Sequence, residues 1–185
     1  LPMKSKYFSF GRIDPKKAIE NLINALAQSD TFRRNDFHLK IVGDHHNEYG
    51  SMLEQLVETT GLADKVNFLG HRSGAEKQAL LAGAWFLIMP SHTENFGIVV
   101  TEALAQGTPA VASTGTPWKI LEEREAGYWV ANDPRSLTPI LENIQSLSPQ
   151  KMTQLSNNAF KLATEEFSIH ANVSEWETAY QALLK

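Results

Sequence analysis

Short apolar segments that end at glycine constrain the fold of this chain more than any other feature. Residues 39–42 precede Gly43 and residues 66–69 precede Gly70, with a helical pattern between the two segments. Short buried strands that alternate with helices are what βαβ units require, and such units build a mostly parallel sheet. The sequence therefore predicts an α/β fold of the Rossmann-like, doubly wound type.

Predicted strands alternate with predicted helices along the chain. Strands are predicted at residues 7–10, 38–42, 66–69, 85–89, 110–112 and 128–130. Helices are predicted near residues 16–28, 48–60, 74–83, 98–106 and 135–146, followed by two more at about 149–165 and 169–183. Ligands bind doubly wound sheets at the carboxyl ends of the strands, so we expect a site there. The residues at predicted strand ends include Gly11, Gly43, Gly70 and Glu94.

The composition fits one domain over residues 1–185 and excludes several functions. The chain has 185 residues, of which 42% are hydrophobic, and this is enough to bury one core. A formal net charge of -4 argues against nucleic acid as the principal partner, and the absence of cysteine excludes disulfides and thiol catalysis. The apolar stretches are too short for a membrane span.

Two glutamates in a segment that is poor in charge indicate a site. Between Glu94 and Lys119, the only charged side chain is that of Glu102. A helix that is otherwise apolar becomes buried, and a lone carboxylate in it lowers stability unless a partner or a ligand satisfies it. Both carboxylates are therefore candidate binding groups.

The residues around these glutamates predict a strand, a turn and a helix. An apolar strand ends near Pro90, and Gly97 permits a close approach of the backbone before a helix that begins at Ile98. The helix start directs free backbone N–H groups at one point, and such points attract anions, most often phosphate. Glu94 and Glu102 can border the same crevice. Because carboxylates repel phosphate, we expect these two to accept hydrogen bonds from sugar hydroxyls.

A second candidate site lies near the N-terminus. Gly11 ends the first predicted strand, and Asp14 is a good N-cap with Pro15 at the first helical position. Lys16 and Lys17 then fall in the predicted first turn, where the helix dipole disfavours cations by roughly a few tenths of a kcal/mol each. A bound anion would reverse the sign of this effect.

At this point the residues match a known family. Seven residues separate Glu94 from Glu102, and Phe96-Gly97 lies between them. This pattern, together with the glycine- and proline-containing segment that follows it, resembles the retaining glycosyltransferases of the GT-B fold, specifically family 4. The resemblance implies that Glu94 faces the donor sugar and that Glu102 holds the ribose hydroxyls. It also implies that the backbone of Phe96, Gly97 and Ile98 approaches the sugar and the diphosphate.

The same resemblance extends to the N-terminal turn. Arg12 and Lys17, which follow Gly11, occupy the positions of the clamp that neutralises the leaving diphosphate in the family. Ala18 departs from the family, which more often has glycine there. The catalytic residues implied are Glu94, Arg12 and Lys17.

Other segments resemble the family less specifically. Gly43 falls at the end of the second strand, and Phe68 falls in the segment that lies against the nucleotide base; Arg72 is left open between the surface and a place near the base. The adjacent His45 and His46 lack a typical ligand spacing, so no metal site is predicted. The donor-binding residues implied are Gly11, Arg12, Lys17, Gly43, Phe68, Glu94, Phe96, Gly97, Ile98 and Glu102.

Two tryptophans and the last helix complete the resemblance. The segments around Trp118 and Trp129 resemble a subgroup that assembles bacterial surface polysaccharides, including lipopolysaccharide and capsule. The two rings either pack in the core or stack on sugar or base. The last predicted helix carries an apolar stripe that can pack on another domain. The members of this stripe are Val173, Trp176, Tyr180, Leu183 and Leu184.

The resemblance implies that the chain is the C-terminal half of a GT-B enzyme, with extra C-terminal helices, and that the N-terminal acceptor domain is absent. The implied reaction is retaining transfer from a nucleotide-diphosphate sugar to a hydroxyl acceptor, with no cofactor and no metal. A cytoplasmic location is expected, and peripheral attachment of the full-length protein to the inner membrane face stays open. The alternatives are a non-catalytic module that binds a nucleotide or a sugar phosphate, and a dinucleotide domain, which the missing G-x-G-x-x-G pattern disfavours.

Overall fold

Six strands form one sheet in which every described pairing is parallel. The structure is a computed structural model, which describes residues 8–10 and 13–183. The strands are β1 (Phe8–Phe10), β2 (Leu39–Val42), β3 (Val66–Phe68), β4 (Leu87–Met89), β5 (Ala110–Ser113) and β6 (Gly127–Val130). Their order is β3-β2-β1-β4-β5-β6, so the winding reverses between β1 and β4. This order confirms the predicted doubly wound fold.

Helices connect the strands and cover both faces of the sheet. They are α1 (Ile19–Gln28), α2 (Asp30–Arg34), α3 (Glu48–Thr59), α4 (Gly74–Gly83), α5 (Ile98–Ala105), α6 (Ile120–Glu123), α7 (Pro134–Gln145), α8 (Pro149–Glu166) and α9 (Ile169–Leu183). The predicted strands and helices agree with the structure to within one or two residues at most ends, although Tyr7 lies outside the described residues. The short helices α2 and α6 were not predicted.

The start of the first predicted helix is wrong. Pro15–Lys17 forms a separate 3-10 turn, which Asp14 caps by accepting a hydrogen bond from the backbone N–H of Lys16 at 2.9 Å. Ala18 then adopts a left-handed conformation, with φ 48°, and α1 begins only at Ile19. Lys16 and Lys17 therefore precede α1 and do not lie in its first turn.

Two cores lie on opposite faces of the sheet. Side chains alternate between the faces along each strand, so Ile88 of β4 points into one core while Leu87 and Met89 point into the other. Helices α1, α3 and α7 cover the first core, and α5 and α8 cover the second. With both faces covered, the loops at the carboxyl ends of the strands are left to form a site.

The C-terminal helices extend the second core and leave apolar side chains exposed. Ala159 and Leu162 of α8 are fully buried against the layer that contains α5. On α9, Trp176 is 64% exposed and Tyr180 is 62% exposed, so the described part of the predicted stripe faces outward; Leu184 lies outside the described residues. In the part of the chain that the structure describes, no helix has the length and apolar character that crossing a membrane requires.

Candidate functional site

A pocket of about 770 Å³ opens at the carboxyl edge of the sheet. The loops after β2 and β4, the 3-10 turn, the loop after β3 and the start of α5 contribute to it. The residues that line it are Lys17, Val42, Gly43, Asp44, His71, Arg72, Lys77, Glu94, Asn95, Phe96, Gly97, Ile98 and Val99. The structure thus brings six of the ten predicted donor-binding residues into one pocket: Lys17, Gly43, Glu94, Phe96, Gly97 and Ile98.

Lys17 and Glu94 meet in this pocket as an ion pair between Lys17 Nζ and Glu94 Oε1. The two side chains are only 25% and 17% exposed. The hydroxyl of Ser91 also donates to Glu94 Oε1, at 3.2 Å, and the backbone N–H of His92 donates to the carbonyl of Lys16 at 2.8 Å. These contacts tie the 3-10 turn to the loop after β4, so the two predicted sites form one.

Only glycine fits at position 97, where the loop after β4 leads into α5. The φ of Gly97 is 77°, and a Cβ atom built there would lie 2.8 Å from the sulfur of Met89. Glycine has no side chain to cap the helix, so the first amides of α5 receive no side-chain acceptor from the N-cap residue, and Ile98 and Val99 line the pocket. Such amides favour an anion.

Glu102 forms an ion pair with a lysine that was not predicted from the sequence. Glu102 Oε2 lies 2.5 Å from Nζ of Lys77, which is on α4 and lines the pocket. The contact is an ion pair without hydrogen-bond alignment, because Oε2 has no aligned donor among the described residues. Glu102 itself is not among the residues that line the pocket, so only Glu94 borders it directly. No spacing signal in α4 distinguishes Lys77 from a surface lysine, so its partner could be found only from the fold.

Phe68 is not brought to the pocket. Its half-buried ring packs against the first core and lies 5.3 Å from the ring of His45, between centroids. Of the two positions considered for Arg72, the structure shows the one near the pocket: Arg72 lines it and places its Nε 3.5 Å from Glu76. Gly11 and Arg12 lie outside the described residues.

The rim of the pocket carries a negative charge at Asp44. A hydrogen bond from the backbone N–H of His46 lowers the pKa of Asp44 below its usual value, and a contact with the His46 ring acts in the same direction. Across residues 8–10 and 13–183, no group of three or more histidine or carboxylate side chains is arranged to hold a metal ion.

Trp118 packs in the core beneath the loop that carries Glu94. It is 1% exposed, and its ring centroid lies 5.2 Å from that of Phe96 and 5.3 Å from that of Phe167. Its indole N–H donates to the backbone carbonyl of Phe96. Trp129 is half-buried against the same core and donates to the carbonyl of Thr116 at 3.0 Å. Of the two roles considered for the tryptophans, packing in the core or stacking on a sugar or base, Trp118 has the first.

The sequence profile of the family "Glycosyl transferases group 1" matches residues 2–162. The chain belongs to this family. It is 32% identical to the glycosyltransferase MJ1607 of Methanocaldococcus jannaschii over 178 residues, which cover 95% of this chain and 44% of the relative. It is 31% identical to the O-antigen chain mannosyltransferase RfbU of Salmonella typhimurium over 156 residues, which cover 83% of this chain and 42% of the relative.

A solved structure shows the same architecture. HepE from Anabaena, crystallised in complex with UDP and glucose, superposes with a TM-score of 0.83 at 27% identity, over 97% of this chain and 49% of that protein. The chain thus spans less than half the length of each of these three proteins.

Proposed function

We propose that this chain is the donor-binding, C-terminal domain of a retaining family 4 glycosyltransferase of the GT-B type. In this proposal it binds a nucleotide-diphosphate sugar, and a second, acceptor-binding domain supplies the hydroxyl that receives the sugar. The observation that carries the proposal is the ion pair of Lys17 and Glu94 in the pocket. At the same pocket, Gly97 leaves the N-terminus of α5 without a side-chain cap. A cation, free amides and a carboxylate together suit a diphosphate joined to a sugar.

The diphosphate is proposed to replace Glu94 as the ion-pair partner of Lys17. The ammonium group and the first amides of α5 would then face the phosphate oxygens, and Glu94 would be free to accept a hydrogen bond from a sugar hydroxyl. Arg12, in the motif that resembles the phosphate clamp, is proposed to add a second positive charge. Glu102, on α5 and paired with Lys77 of α4, is proposed to accept hydrogen bonds from the ribose.

The chemistry follows from this arrangement. As the bond between the anomeric carbon and the diphosphate breaks, negative charge develops on the leaving oxygen, and Lys17 with the α5 amides stabilises it. The acceptor hydroxyl attacks on the face from which the diphosphate leaves, so the configuration is retained. Glu94 orients the sugar for this attack. We propose no metal cofactor for this step.

The pathway proposed is the assembly of a bacterial surface polysaccharide or lipopolysaccharide. The similarity to RfbU, an O-antigen chain mannosyltransferase, supports this substrate class, as does the resemblance around Trp118. A cytoplasmic location agrees with the use of a nucleotide sugar as donor.

Calorimetric titration of the chain with UDP, GDP and ADP, in the presence of EDTA, tests the proposal. We expect one of the three to bind selectively and without a metal. Lys17→Met should weaken that binding by about one to two orders of magnitude, as expected for a lost charge-assisted hydrogen bond of roughly 1.5–3 kcal/mol. Lys161→Met, which removes a lysine that is 68% exposed on α8, is the matched control and should bind as the wild type does. Failure of all three diphosphates to bind, or equal losses in the two lysine variants, would contradict the proposal.

A further inference from the structure

A buried indole holds the peptide that leads into the pocket. Trp118 is 1% exposed, and its N–H donates to the carbonyl of Phe96, the residue before Gly97. An indole has one donor and no acceptor, and a buried indole N–H usually finds a partner. The whole hydrogen-bonding capacity of this side chain is thus directed at a single backbone group of the candidate site.

This contact also sets the direction of an N–H group. The carbonyl of Phe96 and the N–H of Gly97 belong to one planar trans peptide unit, in which the two groups point in opposite directions. Trp118 holds the carbonyl toward the core, so the N–H of Gly97 is directed away from the core, and Gly97 is one of the residues that line the pocket. Among the described residues, none accepts a hydrogen bond from this N–H.

The segment that carries Trp118 supports the same loop at two further points. The carbonyl of Gly115 accepts a hydrogen bond from the backbone N–H of Glu94 at 3.3 Å, and the hydroxyl of Ser113 donates to the carbonyl of Ser91. Residues 113–118 therefore form a platform under residues 91–97. Of these contacts, only that of Trp118 fixes the peptide adjoining α5.

We propose that Trp118 is a positioning residue of the donor site, whose indole N–H orients the Phe96–Gly97 peptide so that the Gly97 N–H meets the bound diphosphate. The inference rests on the proposed function and assigns a role to a residue that does not itself touch the pocket. A purely structural tryptophan would stabilise the fold without discriminating a diphosphate from a nucleoside. An orienting tryptophan contributes to diphosphate binding alone.

The test compares Trp118→Phe with a matched control. Trp85→Phe also removes an indole N–H that donates to a backbone carbonyl, that of Ile144 at 2.9 Å, but Trp85 packs on the first core, away from the pocket. UDP, GDP and ADP are titrated first into the wild type; the one that binds is then compared with its nucleoside in both variants. For Trp118→Phe we expect about tenfold weaker diphosphate binding, which corresponds to about 1.4 kcal/mol, with nucleoside binding unchanged. Trp85→Phe should leave both affinities as they are.

The outcomes separate the inference from the function on which it rests. If the wild type binds one diphosphate and Trp118→Phe matches Trp85→Phe, or loses diphosphate and nucleoside equally, the positioning role is refuted while the donor site stands. If the wild type binds none of the three, the proposed function fails and this role fails with it.

A spectroscopic measurement on the wild type decides the case in which Trp118→Phe does not fold. The chain has four tryptophans, so the indole N–H signal of Trp118 can be assigned by elimination with phenylalanine variants of the other three. We expect this signal to shift when the diphosphate is added and to stay in place with the nucleoside, while the Trp85 signal moves with neither. If the indole N–H signal of Trp118 does not shift when the diphosphate is added, the inference is wrong.

Discussion

The ion pair of Lys17 and Glu94 makes the replacement Glu94→Gln informative, because the expected effect on diphosphate binding is a gain. Without ligand, Lys17 is held by Glu94, so a diphosphate must displace a carboxylate before it can use the ammonium group. Glutamine keeps an oxygen that can accept from Ser91 but carries no charge, so it releases Lys17 and removes a negative charge from beside the phosphates.

The burial of the pair sets the magnitude. Exposed ion pairs contribute about 0–1 kcal/mol, and breaking a fully buried pair costs about 3–5 kcal/mol. With side chains 25% and 17% exposed, this pair lies between those limits, and we expect about 1–2 kcal/mol. Glu94→Gln should therefore strengthen binding of the free nucleoside diphosphate by about five- to thirtyfold. The sugar conjugate should gain less, because the glutamine is a weaker acceptor for the sugar hydroxyl.

A double-mutant cycle measures the coupling directly. Wild type, Glu94→Gln, Lys17→Met and the double variant are titrated calorimetrically with the same diphosphate, and thermal melting checks that each is folded. The gain from Glu94→Gln should disappear in the Lys17→Met background, since there is no longer an ammonium group to release. If Glu94→Gln weakens diphosphate binding as much as Lys17→Met does, the pair stays intact in the complex and the displacement argument is refuted.

Three further substitutions test separate parts of the account. Glu102→Ala should weaken nucleotide binding by about 1–3 kcal/mol in calorimetry without unfolding the domain; loss of the folded state in circular dichroism would make Glu102 structural instead. Ala18→Gly should raise the free energy of unfolding by up to about 1 kcal/mol in urea, because it relieves a left-handed alanine, whereas Ala25→Gly inside α1 should lower it by a similar amount. Gly97→Ala should lower the melting temperature and abolish diphosphate binding, since φ is 77° and the new Cβ meets a neighbour, while Gly83→Ala, with nothing within 4 Å, should do neither. If Ala18→Gly and Ala25→Gly had the same effect, or Gly97→Ala and Gly83→Ala did, the left-handed backbone at Ala18 or Gly97 would not explain the result.

The strands and their order of appearance were predictable because short buried runs have few other interpretations. Each predicted strand is present in the sheet. Glycine was expected at the turn before α5 to permit a close approach of the backbone, and Gly97 has a left-handed φ with no space for a Cβ atom. The break at Ala18 was not predicted, because alanine is the best helix former and only the backbone shows that it ends a 3-10 turn here.

The site was predictable in its loops and less so in its side chains. Glu94 and Lys17 could be named from the sequence, but their direct pairing depends on the approach of two loops that are far apart in the chain. Lys77 carries no local signal, because its partner Glu102 lies on another helix. Phe68 was predicted at the site from its position in the family pattern, but its side chain packs against the first core. The resemblance can indicate which loop approaches a ligand, whereas core packing decides where a side chain points.

The central claim is that one nucleoside diphosphate occupies the pocket between the 3-10 turn and the start of α5. The most direct test is a crystal structure of the chain with the diphosphate that binds. The account predicts phosphate oxygens within hydrogen-bond distance of Lys17 Nζ and of the Gly97 N–H, with Lys17 no longer paired to Glu94 and the ribose beside Glu102. A nucleotide bound elsewhere, or one bound in this pocket while Lys17 and Glu94 remain paired, would contradict it.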